Sequence, residues 1–223
     1  MNIKEGEFVS IDYIGKVNGK IFDLTDEKLA KKEGIYEESK KYGPVTIVVG
    51  AGHLVEGLDK SIVGKDINTG FEVEIEPEEG FGKKNPKLLK IIPERTFKEQ
   101  QVNPVPGMAV SIDGLMGHII SCSGGRAVID FNHPLAGKTL NYKVKILRMV
   151  DDEKEQLRGL MDIYTGLTDE DYEVKIEDGN AKISVKKGKK ISEKAKGLIK
   201  EDSKKYMNTK SLEFIEKEKS SKN

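Results

Sequence analysis

The stretch that most constrains this chain runs from Val48 to Gly64 and reads VVGAGHLVEGLDKSIVG. A β-branched run of Val45, Ile47, Val48 and Val49 stops at Gly50 and Gly52. Beyond the glycines, Leu54, Val55, Leu58, Ile62 and Val63 recur at spacings of three and four. The first pattern is a strand, the glycines supply a turn, and the second is the apolar stripe of a short helix. Laid across a sheet, that helix would carry Leu54 and Val55 at its N-terminal lip and Leu58 beneath them as the floor of a shallow apolar cavity. Ordinary core packing accounts for the same stripe, so the flanking segments decide its weight.

Upstream, Phe8, Ser10, Asp12 and Ile14 alternate with Val9, Ile11 and Tyr13, a strand pattern that ends in the tight-hairpin pair Asn18-Gly19. The return strand carries Phe22 and Asp23. Downstream, Phe71, Val73 and Ile75 alternate with charges, and Glu74-Ile75-Glu76-Pro77-Glu78-Glu79-Gly80-Phe81-Gly82 closes the module. In this order and spacing the segments resemble the FKBP family of peptidyl-prolyl cis/trans isomerases, in particular its SlyD-like members and the long archaeal form. The likeness covers roughly residues 1 to 150.

The resemblance implies an α+β fold in which an antiparallel sheet wraps a short helix, with a flap between Asp23 and Val45. In that flap Asp26 to Glu33 reads as helical, with Gly34 as its stop. It also implies a site. Tyr13, Phe22, Phe81 and Tyr142 would be aromatic walls, Leu54 and Val55 the lip, Leu58 the floor, and Asp23 a carboxylate at the edge. The Val55 N–H would hold a substrate carbonyl. Each residue taken alone also reads as core; the set in the family's order favours the site. Leu58 stands where the family often has tryptophan, and Phe81 where it often has a tyrosine hydroxyl. A roomier pocket with one hydrogen bond fewer is expected.

The chemistry fits a chain without a catalytic kit. His53, His118 and His133 are far apart in sequence, and there are no paired cysteines, no HExxH, no G-x-S-x-G and no complete phosphate-binding loop. Neither a metal nor a cofactor is expected. Prolyl isomerisation needs none, because rotation about the amide makes and breaks no covalent bond, and its barrier of about 18–20 kcal/mol is loss of resonance. A dry apolar site with one or two donors favours the twisted amide over the better-solvated planar one.

In a minimal FKBP the last strand follows soon after Phe81-Gly82. Here Asn132 to Leu140 intervenes before Asn141-Tyr142-Lys143-Val144-Lys145-Ile146-Leu147, and the 48 residues from Lys84 to Phe131 are too many for a loop. Leu88–Ile92, Ala109–Ile112, Leu115–Ser121 and Ala127–Phe131 read as short strands, with turns at Asp113-Gly114 and Ser123-Gly124-Gly125-Arg126. The expected organisation is therefore an FKBP domain at 1–83 and 132–150, an inserted β-rich domain at 84–131, and a C-terminal α+β domain at 151–223. The resemblance implies that the insert binds unfolded polypeptide. Met108, Leu115, Met116 and Ile119 would form that surface, although half of them could equally be the core of so small a domain.

In the C-terminal part, Leu157, Leu160, Met161 and Tyr164 keep helical spacing up to Gly166, interrupted by Gly159. Tyr172, Val174 and Ile176 alternate, Asp178-Gly179 turns, and Ala181, Ile183 and Val185 alternate back. Ser192 can cap a helix bearing Ala195, Leu198, Ile199 and Tyr206, and a short element near Leu212 and Phe214 precedes a polar tail. Eleven acidic side chains face three basic ones over 151–178, and eleven lysines face three acids over 182–210. The two runs either complement each other, within one domain or across a dimer, which is the preferred reading, or the lysine-rich face binds nucleic acid or a ribosomal surface. Short stripes make an independent core marginal, so a homodimer through 151–223 is expected.

Thirty-eight basic residues balance thirty-eight acidic ones, which leaves no global field toward nucleic acid. A single Cys122, no apolar stretch near membrane-spanning length and no signal-like N-terminus together point to the cytoplasm. The expected partners are unfolded or proline-containing polypeptides. The function expected is a peptidyl-prolyl isomerase that doubles as a folding chaperone; the alternative is a non-catalytic chaperone or ribosome-associated module with a vestigial pocket.

Overall fold

The computed structural model describes residues 2–216, and the end of the expected polar tail lies outside them. The chain divides into two compact units, Met1–Ile75 with Leu140–Asn223, and Glu76–Thr139. The elements of the first unit up to the division are β1 (Phe8–Val17), β2 (Lys20–Leu24), α1 (Glu27–Lys32), β3 (Val45–Val48), α2 (Glu56–Ile62) and β4 (Gly70–Ile75). The second unit holds β5 (Leu89–Pro93), α3 (Glu94–Glu99), β6 (Ala109–Ile112), β7 (Leu115–Ser123) and β8 (Arg126–Asp130). Back in the first unit come β9 (Leu140–Met149), α4 (Glu153–Thr165), β10 (Tyr172–Glu177), β11 (Asn180–Val185), α5 (Glu193–Tyr206) and β12 (Ser211–Glu216).

The first unit is built on a five-stranded antiparallel sheet. Its order is β2-β1-β9-β4, and β3 pairs with the N-terminal half of β1, alongside which β2 takes the C-terminal half. Asn18 and Gly19 both adopt positive φ, 49° and 77°, as a two-residue hairpin requires. Ile75 and Leu140 pair at the end of the β4–β9 ladder, so the chain leaves and re-enters this unit at one point. Helix α2 packs on β4, and Leu58 and Ile62 on it are fully buried with Ile11, Ile75, Leu140 and Ile146 of the sheet.

Residues 151–216 pack into this same unit. Leu157, Leu160 and Met161 of α4 and Ile199 of α5 share one core with Ile183 and Val185 of β11 and with Phe8, Val48 and Val150 of the FKBP-like part. The stripes that look short for a free-standing domain are covered within the chain. Gly159, a helix-weakening residue by propensity, has a steric reason. A Cβ there would lie 2.7 Å from Thr46 Cγ2 and 3.1 Å from the Thr46 carbonyl oxygen, so glycine lets α4 lie directly on β3. Strands β10, β11 and β12 form a separate three-stranded sheet in which β12 runs parallel to β11. Lys189 and Asp171 join the basic and acidic runs at 3.2 Å.

The second unit is a four-stranded antiparallel sheet, β5-β8-β7-β6, whose strands match the sequence reading closely. Helix α3 is an addition to that reading. It offers a single large apolar residue, Phe97, too few for a visible period, yet Phe97 enters the core with Val110, Ile119, Ala127 and Ile129. Cys122 packs at the edge of that core and its thiol donates to the Pro104 carbonyl.

Candidate active site

Four of the expected residues meet on the helix-facing side of the larger sheet. Gly15 pairs with Asp23 on one side and with Tyr142 on the other, Tyr142 pairs with Val73, and Tyr13 pairs with Val144. Residues directly opposite in antiparallel strands share a face, and so do residues two apart. Tyr13, Asp23 and Tyr142 are thus placed together by register. Phe22, adjacent to Asp23, should point away. It does not, because the pairing skips from Gly15–Asp23 to Lys16–Ile21 and leaves Phe22 as the extra residue of a bulge. A bulge re-aims one side chain, and here it brings the Phe22 ring edge-on to Tyr142, with centroids 5.7 Å apart and planes at 84°. Tyr13 meets Tyr142 from another side at 5.9 Å and 64°.

Gly15 makes room for this cluster. A Cβ on it would lie 2.9 Å from Phe22 Cζ and 2.9 Å from Tyr142 Cε1. The carboxylate is held as firmly as the rings: the Tyr13 hydroxyl donates to Asp23 Oδ2 at 2.7 Å, and Lys40 of the flap donates to Oδ1. Burial, and then the nearby Asp23 charge, push the Tyr13 and Tyr142 hydroxyls well above the usual tyrosine range. Both remain neutral donors at any physiological pH.

Val55 closes the N-terminus of α2. Its carbonyl accepts from the Leu58 and Asp59 N–H groups at 2.9 and 3.0 Å. Leu54 and Val55 are partly exposed and Leu58 is buried. The loop before the lip is pinned by Asp59, whose two carboxylate oxygens accept from the Gly50 and Gly52 N–H groups at 2.8 and 2.9 Å. Among the described residues, neither the Val55 N–H nor the Tyr142 hydroxyl has a protein acceptor, which leaves two donors free. Phe81 belongs to the second unit, where its ring stacks on His133 with centroids 4.3 Å apart and planes at 7°.

A groove of about 550 Å³ opens along β1 and β9 between Asp12, Ile14, Thr25, Tyr42, Lys143 and Lys145, and Tyr13 borders it as well. Its walls carry charges of both signs and no convergent aromatic set, so the aromatic cluster is the better candidate for amide chemistry. Among the described residues no three His, Cys, Asp or Glu side chains are grouped to hold a metal.

In the second unit the expected surface residues separate. Leu115 and Met116, 60% and 64% exposed, directly follow the Asp113-Gly114 hairpin tip. Ile119 is 1% exposed and central to the unit's core, so it does not belong to an outer surface, and Met108 is partly buried against that core. The strand period explains it: Gly117 and Ile119 point inward and Ile120 outward, and a bulge after Ile119 moves the next inward position to Cys122. Ile120 and Ile91 are exposed apolar residues that the sequence reading missed.

Over 153 residues the chain is 35% identical to the short-type peptidyl-prolyl cis-trans isomerase of Methanocaldococcus jannaschii, a match covering 69% of this chain and 98% of that protein. It is 26% identical over 170 residues to the FKBP-type peptidyl-prolyl cis-trans isomerase SlyD of Haemophilus influenzae, covering 70% of this chain and 77% of that protein. The chain belongs to the FKBP-type peptidyl-prolyl cis-trans isomerase family. Within this FKBP, residues 90–135 match the family model described as FKBP26, IF domain, nearly the span of the second unit from β5 to the segment before β9. A probable FKBP-type 16 kDa isomerase of Pseudomonas fluorescens is 34% identical over 109 residues, covering 47% of this chain and 71% of that protein.

Proposed function

We propose that this chain accelerates cis/trans isomerisation of X-Pro bonds at the cluster of Tyr13, Phe22, Asp23 and Tyr142, with Leu54, Val55 and Leu58 as lip and floor. The observation that carries the reading is the Phe22 bulge, which adds a third aromatic ring to the two tyrosines and the held carboxylate that register already places together. Apolar rings receive the prolyl ring and exclude water, which penalises the polar planar amide more than the twisted one. The free Val55 N–H and Tyr142 hydroxyl can hold carbonyls on either side of the rotating bond. Lys40 and the Tyr13 hydroxyl fix Asp23, so the polar edge of the site costs no reorganisation when substrate binds. No proton need move.

The second unit serves, in this reading, to bind unfolded polypeptide through Leu115, Met116, Ile120 and Ile91. Exposed apolar side chains, one of them a flexible methionine, suit clients of no fixed sequence. A protease-coupled assay with a short X-Pro peptide tests the catalytic half. Asp23→Asn should lower kcat/KM about tenfold, the scale of a charged hydrogen bond, with thermal stability retained. A wild-type chain that does not accelerate the peptide would assign the protein to binding alone.

A further inference from the structure

His53 stands immediately before the lip and is almost wholly buried, its side chain 1% exposed. Its two ring nitrogens face different parts of the chain. Nδ1 accepts from the Val48 N–H at 3.1 Å, at the end of β3. It therefore carries no proton, and in the neutral ring the N–H is at Nε2. That nitrogen lies 3.0 Å from Asp202 Oδ2 on α5 and 3.1 Å from the Tyr164 hydroxyl oxygen on α4, while Tyr164 itself donates to Asp202 Oδ2 at 2.6 Å. The Tyr164 ring also meets the imidazole edge-on, 5.6 Å between centroids. Two helices of the C-terminal part thus close on one side chain whose backbone leads directly into Leu54 and Val55.

A second connection runs to the other side of the site. Neighbouring lysines of the flap point opposite ways: Lys40 donates to Asp23, and Lys41 donates to both oxygens of Asp162 on α4 at 2.8 and 2.7 Å. With Gly159 seated on Thr46, α4 is in direct contact with the strand that precedes the lip. We infer that the C-terminal part is a positioning element of the isomerase site, with His53 as the latch through which α4 and α5 hold the Leu54–Val55 lip. The inference rests on the catalytic reading above. His53 touches no substrate in it; it acts through the backbone of the two residues that follow.

The lip donor holds a substrate carbonyl in the planar and the twisted amide alike, so loosening it weakens uniform binding and raises KM more than it changes kcat. For Asp202→Ala, KM for a short X-Pro peptide should rise about fivefold, the scale of one lost hydrogen bond, with kcat within about twofold. Amide exchange at Gly50 and Gly52, whose N–H groups Asp59 holds, should quicken by a similar factor, while β1 and β9 amides stay unchanged. Asp202→Asn keeps an acceptor for Nε2–H and should restore KM to within about twofold. Lys189→Ala, which breaks an ion pair elsewhere in the same part of the chain, should leave both readouts unmoved. If Asp202→Ala does not fold, Tyr164→Phe, which deletes a single hydroxyl, carries the same measurements. Unchanged KM and unchanged lip exchange in a folded variant would overturn the latch, as would an equal rise in KM for Lys189→Ala. If the wild-type chain has no isomerase activity, the catalytic proposal fails and the exchange measurement alone decides this one.

Discussion

Gly15→Ala adds one methyl group at the centre of the aromatic cluster. Its Cβ would lie 2.9 Å from Phe22 Cζ, 2.9 Å from Tyr142 Cε1 and 3.1 Å from Phe22 Cε1. Carbon atoms are at their best from about 3.5 Å outward, so both rings must retreat by roughly half an ångström. The backbone is not the obstacle, since Gly15 is not among the residues with positive φ. The strain falls on the far edges of two rings that can tilt, and overpacking of that kind costs about 1–2 kcal/mol. Activity should suffer more than stability, because displacement on the order of 1 Å at a positioned site can cost up to about 100-fold. The expected result is a kcat/KM at least about tenfold lower in the protease-coupled assay, with a thermal midpoint lower by a few degrees. Near-ultraviolet circular dichroism should report the altered tyrosine packing. A folded Gly15→Ala chain with wild-type kcat/KM would show that these rings do not form the site.

The double change Leu115→Ser with Met116→Ser alters two exposed side chains and should leave stability within about 0.5 kcal/mol. Short-peptide isomerisation should persist, and proline-limited refolding of an unfolded protein should slow several-fold; equal loss of both activities would refute the division of labour. Acid sensitivity of the second unit follows from Asp130. Burial alone would raise its carboxyl, but the hydrogen bonds from Lys84 and Asn132 outweigh it and hold the group down to about 2. A folded value below the unfolded 3.8 contributes stability that is complete above about pH 4 and is lost as pH falls through about 2. Lys84→Met should move that loss to higher pH, read from the Ile119 and Ile129 amide signals, and an unshifted profile would rule out the ion pair as its cause.

Local chemistry made much of this molecule legible. Asp26 caps α1, Ser192 caps α5, Gly166 ends α4 in the left-handed region, and Asn18-Gly19 turns the first hairpin, each because a short-range hydrogen bond or an unhindered φ decides it. The strands of the second unit were visible for the same reason, in alternation bounded by turn residues. Helix α3 was not, since one phenylalanine defines no period. Which half of Met108, Leu115, Met116 and Ile119 enters the core stays open in the sequence, because composition distinguishes apolar from polar but not the two faces of a strand.

What only tertiary structure decided is where distant segments meet. The Phe22 bulge depends on how β2 registers against β1, and the need for glycine at position 15 appears only when two rings converge on it. Gly159 looks like a flaw in a helix until Thr46 is seen against it, 113 positions earlier in the chain. His53, isolated in sequence, finds Tyr164 and Asp202 more than a hundred residues away. The sequence by itself determined most of the elements, α3 excepted, and the set of residue types able to favour a twisted amide. The three-dimensional packing determined which of them share a face and which part of the chain holds them there, because such contacts arise from long-range burial that no local pattern encodes.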